Sequence, residues 1–314
     1  VAGAIVRREG GGEIRISARI VMEATGVGAL AEQAGCESRY GEDARSDFDE
    51  PWAPETRSDE VQQCTWMYVS TKVPGLTPEG DDWVPRGLES GYGSPGGSER
   101  VKAKARQAGV YLHWGCRVDC RDTRDPIALA DAQREGLEMM KPAFDELREH
   151  GYVVHLAPRI GVRETRRIMG EAVVTANDMV DGRIPDDSVL VTQRSIDIWR
   201  KGGGDQMHDW PEVQPYGIPY RAVVPREIDG LYVIGKSMSG SHLAMASYRV
   251  QCLLGQIGQA AGVAAAMACD QDTQPRRLDF DDISPRLTQA PQNLVISSDP
   301  AWVSPPPAHA NEDI

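Results

Sequence analysis

Two short apolar runs, one near each end of the chain, each stop abruptly at glycine, and this pattern limits the fold more than any other. Residues 19–24 are followed by the turn at 25–28, and residues 231–234 are followed by Gly235. Branched and aromatic side chains favour strands, and glycine allows a sharp turn at a strand end. Residues 244–268, rich in Gly and Ala, then predict a long helix that can lie close to a sheet or a cofactor. Two strands that each end at glycine, together with this long helix, predict an α/β fold.

Shorter periodic patterns predict the elements between these units. Residues 3–8 and 13–18 alternate apolar and charged side chains on either side of a triple glycine, which predicts a β-hairpin. A short helix is expected over 29–34. Apolar side chains recur at helical spacing over 126–149, which predicts an amphipathic helix.

Other segments predict strands and loops. Residues 61–73 favour a strand. The acidic residues 37–60 and the Gly- and Pro-rich residues 74–98 predict exposed loops, and the proline-rich residues from 274 onward predict a tail.

Charge and composition disfavour several classes of partner. The chain has 314 residues and a formal net charge of -13, so we expect no nucleic-acid partner, because an acidic surface repels phosphate backbones. We expect no membrane span, since the longest apolar stretch, 250–268, contains three glutamines. Six scattered cysteines do not resemble a disulfide framework, and no signal peptide opens the sequence. These features predict a cytoplasmic protein.

We expect no metal site. His113, Cys116 and Cys120 form the one close His/Cys group, but three ligands at this spacing do not match the usual zinc motifs. Packed or free thiols are the expectation there.

Two nucleotide-binding patterns occur, and neither is accepted as it stands. Residues 230–237 match a triphosphate-binding loop, but their centre is the most strand-like run nearby. Residues 26–31 match a relaxed dinucleotide fingerprint, but the acidic residues that follow do not form the second strand that this motif requires. The turn at 26–31 can still present backbone amides to a cofactor.

Three stretches carry a resemblance when they are taken together. They are the hairpin with the Ile20–Gly26 strand, the Arg163-Glu164-Thr165-Arg166-Arg167 signature within 158–170, and the segment 218–262. Together they resemble the FAD-dependent oxidoreductases that have a glutathione-reductase-like flavin domain and, more narrowly, a bacterial group distantly related to fumarate reductase flavoproteins. Their order and spacing extend the resemblance over nearly the whole chain before the tail.

The resemblance implies a Rossmann-like FAD/NAD(P)-binding domain with an inserted mixed α+β cap. Residues 1–35 and 216–270 would form the FAD-binding domain, 36–215 the cap, and 271–314 a C-terminal extension. The family's opening strand and glycine-rich turn are missing from the sequence, so we expect a missing N-terminal segment or a partner chain to complete the FAD site. Where the family has Gly-Arg after the late strand, this chain has Gly235-Lys236, which keeps the charge but loses the planar fork.

The resemblance also implies a set of residues that contact FAD, at the two strand ends and along the late helix. They are Thr25, Gly26, Gly28, Gly235, Lys236, Ser237, Ala244, Ser247 and Gln256. The alternative is that the glycines only turn the chain.

Five residues are candidates for the chemistry. By analogy with fumarate reductase flavoproteins, His242 is a candidate acid/base and Arg249 an anion clamp; the alternatives are a capping histidine and a surface arginine. If their run were helical, Arg163 and Arg166 or Arg167 would share a face. Arg163 and Arg166 are expected to hold an anionic substrate or flavin charge. Tyr220 is a candidate proton donor or a packed tyrosine.

Glu164 and Arg167, within the same charged run, are expected to brace the cap through ion pairs. Taken together, the resemblance implies hydride transfer between a small organic substrate and flavin N5, and the arginines point to an anion. One alternative is a non-catalytic flavin-fold or electron-transfer subunit completed by a partner chain. A second is a binding or structural domain that never meets flavin.

Overall fold

The computed structural model describes residues 1–85, 108–200 and 210–288. It is a mixed α/β structure with two compact units: Val1–Val61 with Glu164–Ile314 form unit 1, and Gln62–Arg163 form unit 2. Residues 36–61 and 164–215 therefore group with the flavin-domain segments, although the sequence assigns them to the cap. The physical reason is a set of buried ion pairs and strand pairings within unit 1, described below.

The strands follow in chain order. They are β1 (Gly3–Arg7), β2 (Glu13–Ser17), β3 (Val21–Glu23), β4 (Ser38–Arg39), β5 (Cys64–Lys72), β6 (Val110–Val118), β7 (Tyr152–Leu156), β8 (Arg167–Ile168), β9 (Ser188–Thr192), β10 (Tyr216–Pro219) and β11 (Leu231–Val233).

The α-helices within the described residues are mostly short. They are α1 (Ala29–Gln33), α2 (Arg45–Phe48), α3 (Pro126–Glu149), α4 (Ala176–Asp181), α5 (His242–Tyr248), α6 (Gln251–Asp270) and α7 (Phe280–Thr288). In the part of the chain that the structure describes, four short 3-10 turns lie at Pro74–Leu76, Tyr220–Val223, Gly235–Ser237 and Pro275–Arg277.

The early and late strands of unit 1 pair with each other. β3 and β11 are parallel, with Leu231 opposite Val21 and Val233 opposite Glu23. The two strand ends therefore lie side by side, and the strand-like centre of residues 230–237 is indeed a strand. β1 and β2 form the predicted antiparallel hairpin.

The core of unit 1 is built around α6. Ile257, Ala260, Ala261 and Ala264 are buried in its main hydrophobic cluster together with Tyr216 of β10. Within the described residues, α6 is the one helix long and apolar enough to cross a membrane by length and composition. A helix that buries one side in the core of a globular unit meets the same criteria.

The prediction of one helix over 244–268 is wrong, because the chain breaks after α5. The side chain of Ser241 caps α5 by accepting the Ala244 N–H at 3.1 Å, so the helix begins at His242. Val250 then adopts an extended conformation (φ -71°, ψ 140°) before α6. Extended backbone at one residue ends the helical hydrogen-bond ladder and lets α6 start in a new direction.

Residues 37–60 are not the exposed loop that their acidity predicts. Asp43 and Glu50 are buried, at 4% and 1% exposure. Charged side chains are buried when partners satisfy them, and Arg167, Ser241 and the Ala176 amide do so here.

Unit 2 is a three-stranded antiparallel sheet in the order β6-β5-β7, with α3 packed against it. The predicted helix over 126–149 is confirmed: Asp125 caps it by accepting the Ile127 N–H at 2.9 Å, and Pro126 occupies its first turn. Trp66, Cys116 and Met140 belong to the core between sheet and helix.

All six cysteines are free, as the sequence predicts. The predicted surface excursion at 74–98 lies partly outside the described residues, as does most of the predicted tail.

Candidate functional site

The carboxyl ends of β3 and β11 form one edge of the parallel pair, and both chains turn there through glycine. Gly26 and Gly235 have φ values of +72° and +81°, a region that side chains with a Cβ rarely adopt. A Cβ built on Gly235 would have no atom within 4 Å. A Cβ built on Gly26 would meet only the Lys236 ammonium nitrogen, at 3.0 Å. The edge is therefore bare backbone with open space and a positive charge beside it.

A buried carboxylate fixes the turn after β3. Glu23 is 1% exposed and accepts hydrogen bonds from the Thr25 amide at 2.8 Å and the Thr25 hydroxyl at 2.5 Å. Its second oxygen accepts the Leu30 amide in the first turn of α1, at 2.8 Å. The negative charge that favours a helix N-terminus is thus supplied by the protein itself. The Leu30 amide within the dinucleotide-like pattern at 26–31 is therefore engaged by a protein carboxylate.

Gly28 is closed by side chains, unlike the other two glycines. A Cβ there would lie 3.2 Å from Arg166 and 3.3 Å from Ile168. Arg166 itself donates to Glu32 at 2.7 Å and to the Val27 carbonyl at 3.3 Å. The predicted role of Arg166 in holding an anion stays untested, and in this structure its guanidinium braces the turn after β3.

The charged run at 163–167 is not helical, so the condition for a shared helical face is not met. Residues 163–166 have no regular secondary structure, and β8 begins at Arg167 and pairs with β4. Arg166 contacts the β3 turn, whereas Arg167 enters the interior of unit 1.

Arg167 and Glu164 lie at the centre of a fully buried network. Arg167 donates to Glu164 Oε1 at 2.8 Å and to Asp43 Oδ2 at 3.0 Å, and it also donates to the Gly41 and Gly240 carbonyls. Both ion pairs join residues of unit 1, and both side chains of the Arg167–Glu164 pair have 0% exposure.

His242 is part of the same network. Its Nδ1 lies 2.8 Å from Glu164 Oε1, and its backbone N–H donates to Asp43 Oδ2 at 2.8 Å. The residue is 3% exposed, and its Nε2 has no hydrogen-bond partner among the described residues. Glu164 thus holds the His242 ring at Nδ1, while Nε2 has no hydrogen bond to any described residue.

Arg249 follows α5 and contacts Asp197. Its Nη2 donates to the Asp197 carbonyl at 2.9 Å and to the carboxylate at 3.1 Å, while Nε has no partner within the described part of the chain. Burial lowers the pKa of Arg249 and the Asp197 charge opposes this effect. The side chain is 11% exposed, so Arg249 is not the surface arginine that the sequence offers as an alternative to an anion clamp.

Four predicted cofactor contacts lie on or near the late helices. They differ in whether their polar atoms already have hydrogen-bond partners within the protein. The Ser237 hydroxyl is buried and has no partner among residues the structure describes. By contrast, the Ser247 hydroxyl is already shared between Tyr216 and the Arg194 carbonyl, at 2.7 and 2.5 Å. Ala244 is fully buried in the core and its amide is bonded to the Ser241 side chain, while Gln256 lies half-buried on α6.

Tyr220 is the packed tyrosine of the two alternatives. Its hydroxyl lies 2.6 Å from the Tyr232 hydroxyl and donates to the Pro275 carbonyl at 2.9 Å. Burial, together with the Tyr232 hydroxyl, raises the pKa of Tyr220 far above its ordinary value. Near neutral pH this phenol keeps its proton, and it donates that proton in a hydrogen bond to the Pro275 carbonyl.

Arg163 lies in unit 2. It donates to the Gln63 carbonyl at 2.7 Å and to the Thr65 hydroxyl at 2.6 Å, and its guanidinium carbon lies 5.6 Å from the centre of the Trp114 ring. These contacts anchor it to β5 and β6, and its predicted role at a site stays untested.

Unit 2 has a cavity of its own, of about 650 Å³, lined in part by Tyr68, Trp83, His113 and Glu146. His113 stacks on Tyr68 at 4.4 Å between ring centres and lies 2.7 Å from the Ser70 hydroxyl. Burial lowers the pKa of His113 to about 4, so this imidazole is neutral near pH 7. Within the described ranges, no group of three or more His, Cys, Asp or Glu side chains is placed to hold a metal ion.

A family model described as FAD dependent oxidoreductase matches residues 1–287. The chain belongs to this family. No curated protein and no solved structure matches it significantly. Members of the FAD-dependent oxidoreductase family are flavoproteins with an FAD-binding Rossmann-like α/β fold, so FAD is the cofactor and the protein is an oxidoreductase.

The residues at the β3–β11 edge fit FAD. Gly26 and Gly235 offer backbone that a large cofactor can approach, and Lys236 brings positive charge suited to its phosphates. Buried polar atoms of Ser237, His242 and Arg249 lack partners among the described residues, and a bound cofactor or substrate can satisfy such atoms.

Sequence reasoning missed the acidic half of this FAD-dependent oxidoreductase's buried network. Asp43 and Glu50 stand in a segment that composition marks as a loop, and no local pattern indicates that either is buried. Glu164 was predicted as a brace, and its contact with His242 spans 78 positions. No short-range signal could have revealed that pairing.

Proposed function

We propose that this chain transfers a hydride between a small organic anion and flavin N5, and that it does so in the cytoplasm. The observation that carries the proposal is the shared edge of β3 and β11, where two glycine turns and Lys236 border open space. FAD, when bound, supplies the hydride chemistry, and the protein supplies position and charge.

Four residues are the best supported of those predicted to hold FAD. Gly26 and Gly235 would allow close approach of the cofactor, since neither has a side chain and Gly235 has open space around it. Lys236 would compensate negative charge, and the Ser237 hydroxyl would donate a hydrogen bond. Thr25, Gly28, Ala244, Ser247 and Gln256 would complete the set of contacts, although the Thr25 hydroxyl, the Ala244 amide and the Ser247 hydroxyl are already bonded within the protein.

His242 would handle the proton that accompanies hydride transfer. A two-electron oxidation of a C–H next to a heteroatom releases one hydride and one proton, and the proton needs an acceptor. The uncommitted Nε2 of His242 is such an acceptor in the neutral imidazole, and it returns the proton in the reverse direction.

Arg249 would hold the substrate anion. Its Nη2 is bonded to Asp197, but Nε is buried without a partner among the described residues. A guanidinium N–H directed at a carboxylate forms a charge-assisted hydrogen bond that fixes the substrate's orientation.

We also propose that a further segment completes the sheet, as in the glutathione-reductase-like domains and the fumarate reductase flavoproteins, with unit 2 as part of the cap. Within the described residues β3 and β11 form a sheet of two strands, and parallel sheets are normally larger and covered. The hairpin also exposes Val6, Ile14 and Ile16, which share one face by register. An added N-terminal segment or a partner chain would cover these groups.

The first test is the absorption spectrum of the purified full-length protein with added FAD. We expect a bound-flavin spectrum that is bleached anaerobically by one class in a panel of small hydroxy acids and amino acids. A protein that binds FAD and is bleached by none of these, but is bleached by neutral alcohols, would contradict the anionic substrate.

Replacing Arg249 by Ala tests the anion clamp. We expect the rate of flavin reduction to fall roughly ten- to hundredfold, since a hydrogen bond to a charged group contributes about 1.5–3 kcal/mol, while the FAD content stays near that of the parent. Arg221→Ala is the control, because it removes another arginine–aspartate pair, with Asp187, outside the proposed site. An unchanged rate in Arg249→Ala would remove this residue from the site.

The second candidate is an electron-transfer or flavin-fold subunit that a partner chain completes. The two-stranded β3–β11 sheet favours it, because such a sheet offers edges to another strand. It predicts that the isolated chain is colourless and binds flavin only after a companion chain is added.

A further inference from the structure

The buried carboxylate Glu164 contacts both a histidine and an arginine through the same oxygen. Its Oε1 lies 2.8 Å from His242 Nδ1 and 2.8 Å from Arg167 Nη1, and Glu164 itself has no exposed surface. A buried charge is tolerated when hydrogen bonds and an opposite charge compensate it, and Arg167 supplies both.

The ring and the backbone of His242 are held by two linked carboxylates. Asp43 Oδ2 accepts the His242 backbone N–H at 2.8 Å and an Arg167 N–H at 3.0 Å. Arg167 therefore joins the carboxylate that holds the ring to the one that holds the backbone. His242, as the first residue of α5, has little freedom to move relative to this pair.

The contact with Glu164 selects one form of the imidazole. An ionised carboxylate only accepts hydrogen bonds, and the arginine beside it only donates. The neutral His242 ring must therefore carry its proton on Nδ1 and donate it to Glu164. The other nitrogen, Nε2, is then an acceptor, and it is the atom that is buried without a partner among the described residues.

We propose that Glu164 is a positioning residue: it holds His242 as the Nδ1–H tautomer, with Nε2 free to take up a proton, and its charge stabilises the imidazolium that results. The inference rests on the proposed function, in which the His242 Nε2 receives the substrate's proton. The proton balance is simple, since Nε2 gains the proton that the substrate loses and releases it before the next cycle. Arg167 acts one step further away, by compensating the buried charge of Glu164.

The test is the tautomer of His242 in the full-length protein, measured by long-range ¹H–¹⁵N NMR with ¹⁵N-labelled histidine. The chain has six histidines, so the His242 signals are assigned by their loss in His242→Gln. We expect the Nδ1–H form in the parent protein and a marked gain of the Nε2–H form in Glu164→Gln, because an amide can donate as well as accept. The Nε2–H form in the parent, or an unchanged tautomer in Glu164→Gln, would overturn the proposal.

Glu50→Gln is the matched control. Glu50 is equally buried and bonded to Ser241 and the Ala176 amide, and both of those bonds can be kept by a glutamine oxygen. We expect Glu50→Gln to leave His242 in its parent tautomer. If Glu164→Gln does not fold, the tautomer of the parent protein alone still decides the proposal.

The kinetic readout separates this proposal from the proposed function. We expect Glu164→Gln to retain its FAD and to reduce it roughly a hundredfold more slowly with the active substrate class, since a mispositioned base loses most of its general-base contribution. A role in stability alone would lower FAD content and rate together without changing the tautomer. If His242→Gln reduces flavin at the parent rate, the proposed function loses its base, whereas the tautomer result stands or falls by itself.

Discussion

Arg167 has no exposed surface, and its hydrogen bonds account for its position. It donates to two carboxylates, Glu164 and Asp43, and to the carbonyls of Gly41 and Gly240. With its donors used inside the protein, Arg167 has little left to offer a substrate. Arg249, one of whose donors lacks a partner among the described residues, is the better placed of the two to hold an anion.

Glu50 and Asp47, three residues apart, should respond to pH with opposite signs. Burial raises the pKa of Glu50, whereas the hydrogen bond from Arg57 lowers the pKa of Asp47 to about 2. Glu50 therefore stabilises the fold at acid pH and loses this contribution as pH rises through its raised pKa. Asp47 stabilises the fold above its ordinary pKa and loses this contribution as pH falls toward 2.

Replacing each by its amide tests these signs. Compared with the parent, Glu50→Gln should gain in free energy of unfolding as the pH is raised from 4 to 8, because glutamine carries no charge to bury. Asp47→Asn should instead be less stable than the parent at pH 4 to 8, and this deficit should shrink as the pH falls from 4 toward 2. Urea unfolding at pH 2, 4, 6 and 8 measures both. A Glu50→Gln protein whose deficit grows toward pH 8 would contradict the assignment.

The sequence indicates which residue types carry charge at this site but not which of them meet. The arginines at 163, 166 and 167 look equivalent in the sequence, yet Arg163 is bound to β5 and β6, Arg166 braces a turn, and Arg167 is buried. Their different roles are set by contacts with residues distant in the chain, including Asp43. Such pairings cannot be predicted from local spacing.

At the scale of single elements, the glycines within helices differ in whether a side chain would fit at their position. In α3, a Cβ on Gly136 would lie 2.7 Å from the Cys116 sulfur, whereas in α6 a Cβ on Gly262 would have no atom within 4 Å. Gly136 is thus required for close packing of α3 on its sheet, and Gly262 is not required within unit 1.

Alanine at the two positions should therefore change stability in opposite directions. Gly262→Ala should stabilise the protein by about 0.5–1 kcal/mol, because alanine loses less backbone entropy in a helix. Gly136→Ala should destabilise it by about 1–2 kcal/mol, since overpacking exceeds that gain. Chemical denaturation measures both. A destabilised Gly262→Ala would indicate that another segment covers this face of α6.

Elements with strong periodicity could be predicted, and those set by distant contacts could not. The amphipathic pattern gives α3 with the bounds that the structure shows, because its exposed and buried faces differ throughout its length. The break between α5 and α6 has no such signal, since the residues on both sides are small or apolar. Ser241 as the cap and Asp197 as the partner of Arg249 define that break in the folded chain.

At the scale of the whole molecule, the proposed FAD site depends on two segments that lie about 200 positions apart and meet in one sheet. Residues 21–28 and 231–237 come together through the pairing of β3 with β11. The sequence predicts both strands and their glycine turns, and the resemblance predicts FAD, which the family match confirms. The division into units was harder to predict, because a buried ion pair joins Asp43 to Arg167, and buried hydrogen bonds link both of these residues to Gly240–His242.

The central claim, that the β3–β11 edge holds FAD, is tested most directly by FAD content in Gly235→Ala and Gly35→Ala. Both glycines have positive φ (+81° and +97°), and a Cβ on either would have no atom of the described residues within 4 Å. The two variants should therefore lose similar stability, about 1–2 kcal/mol. We predict that Gly235→Ala binds FAD at least tenfold more weakly than the parent, while Gly35→Ala binds it normally. Equal FAD affinity in the two variants would contradict the claim.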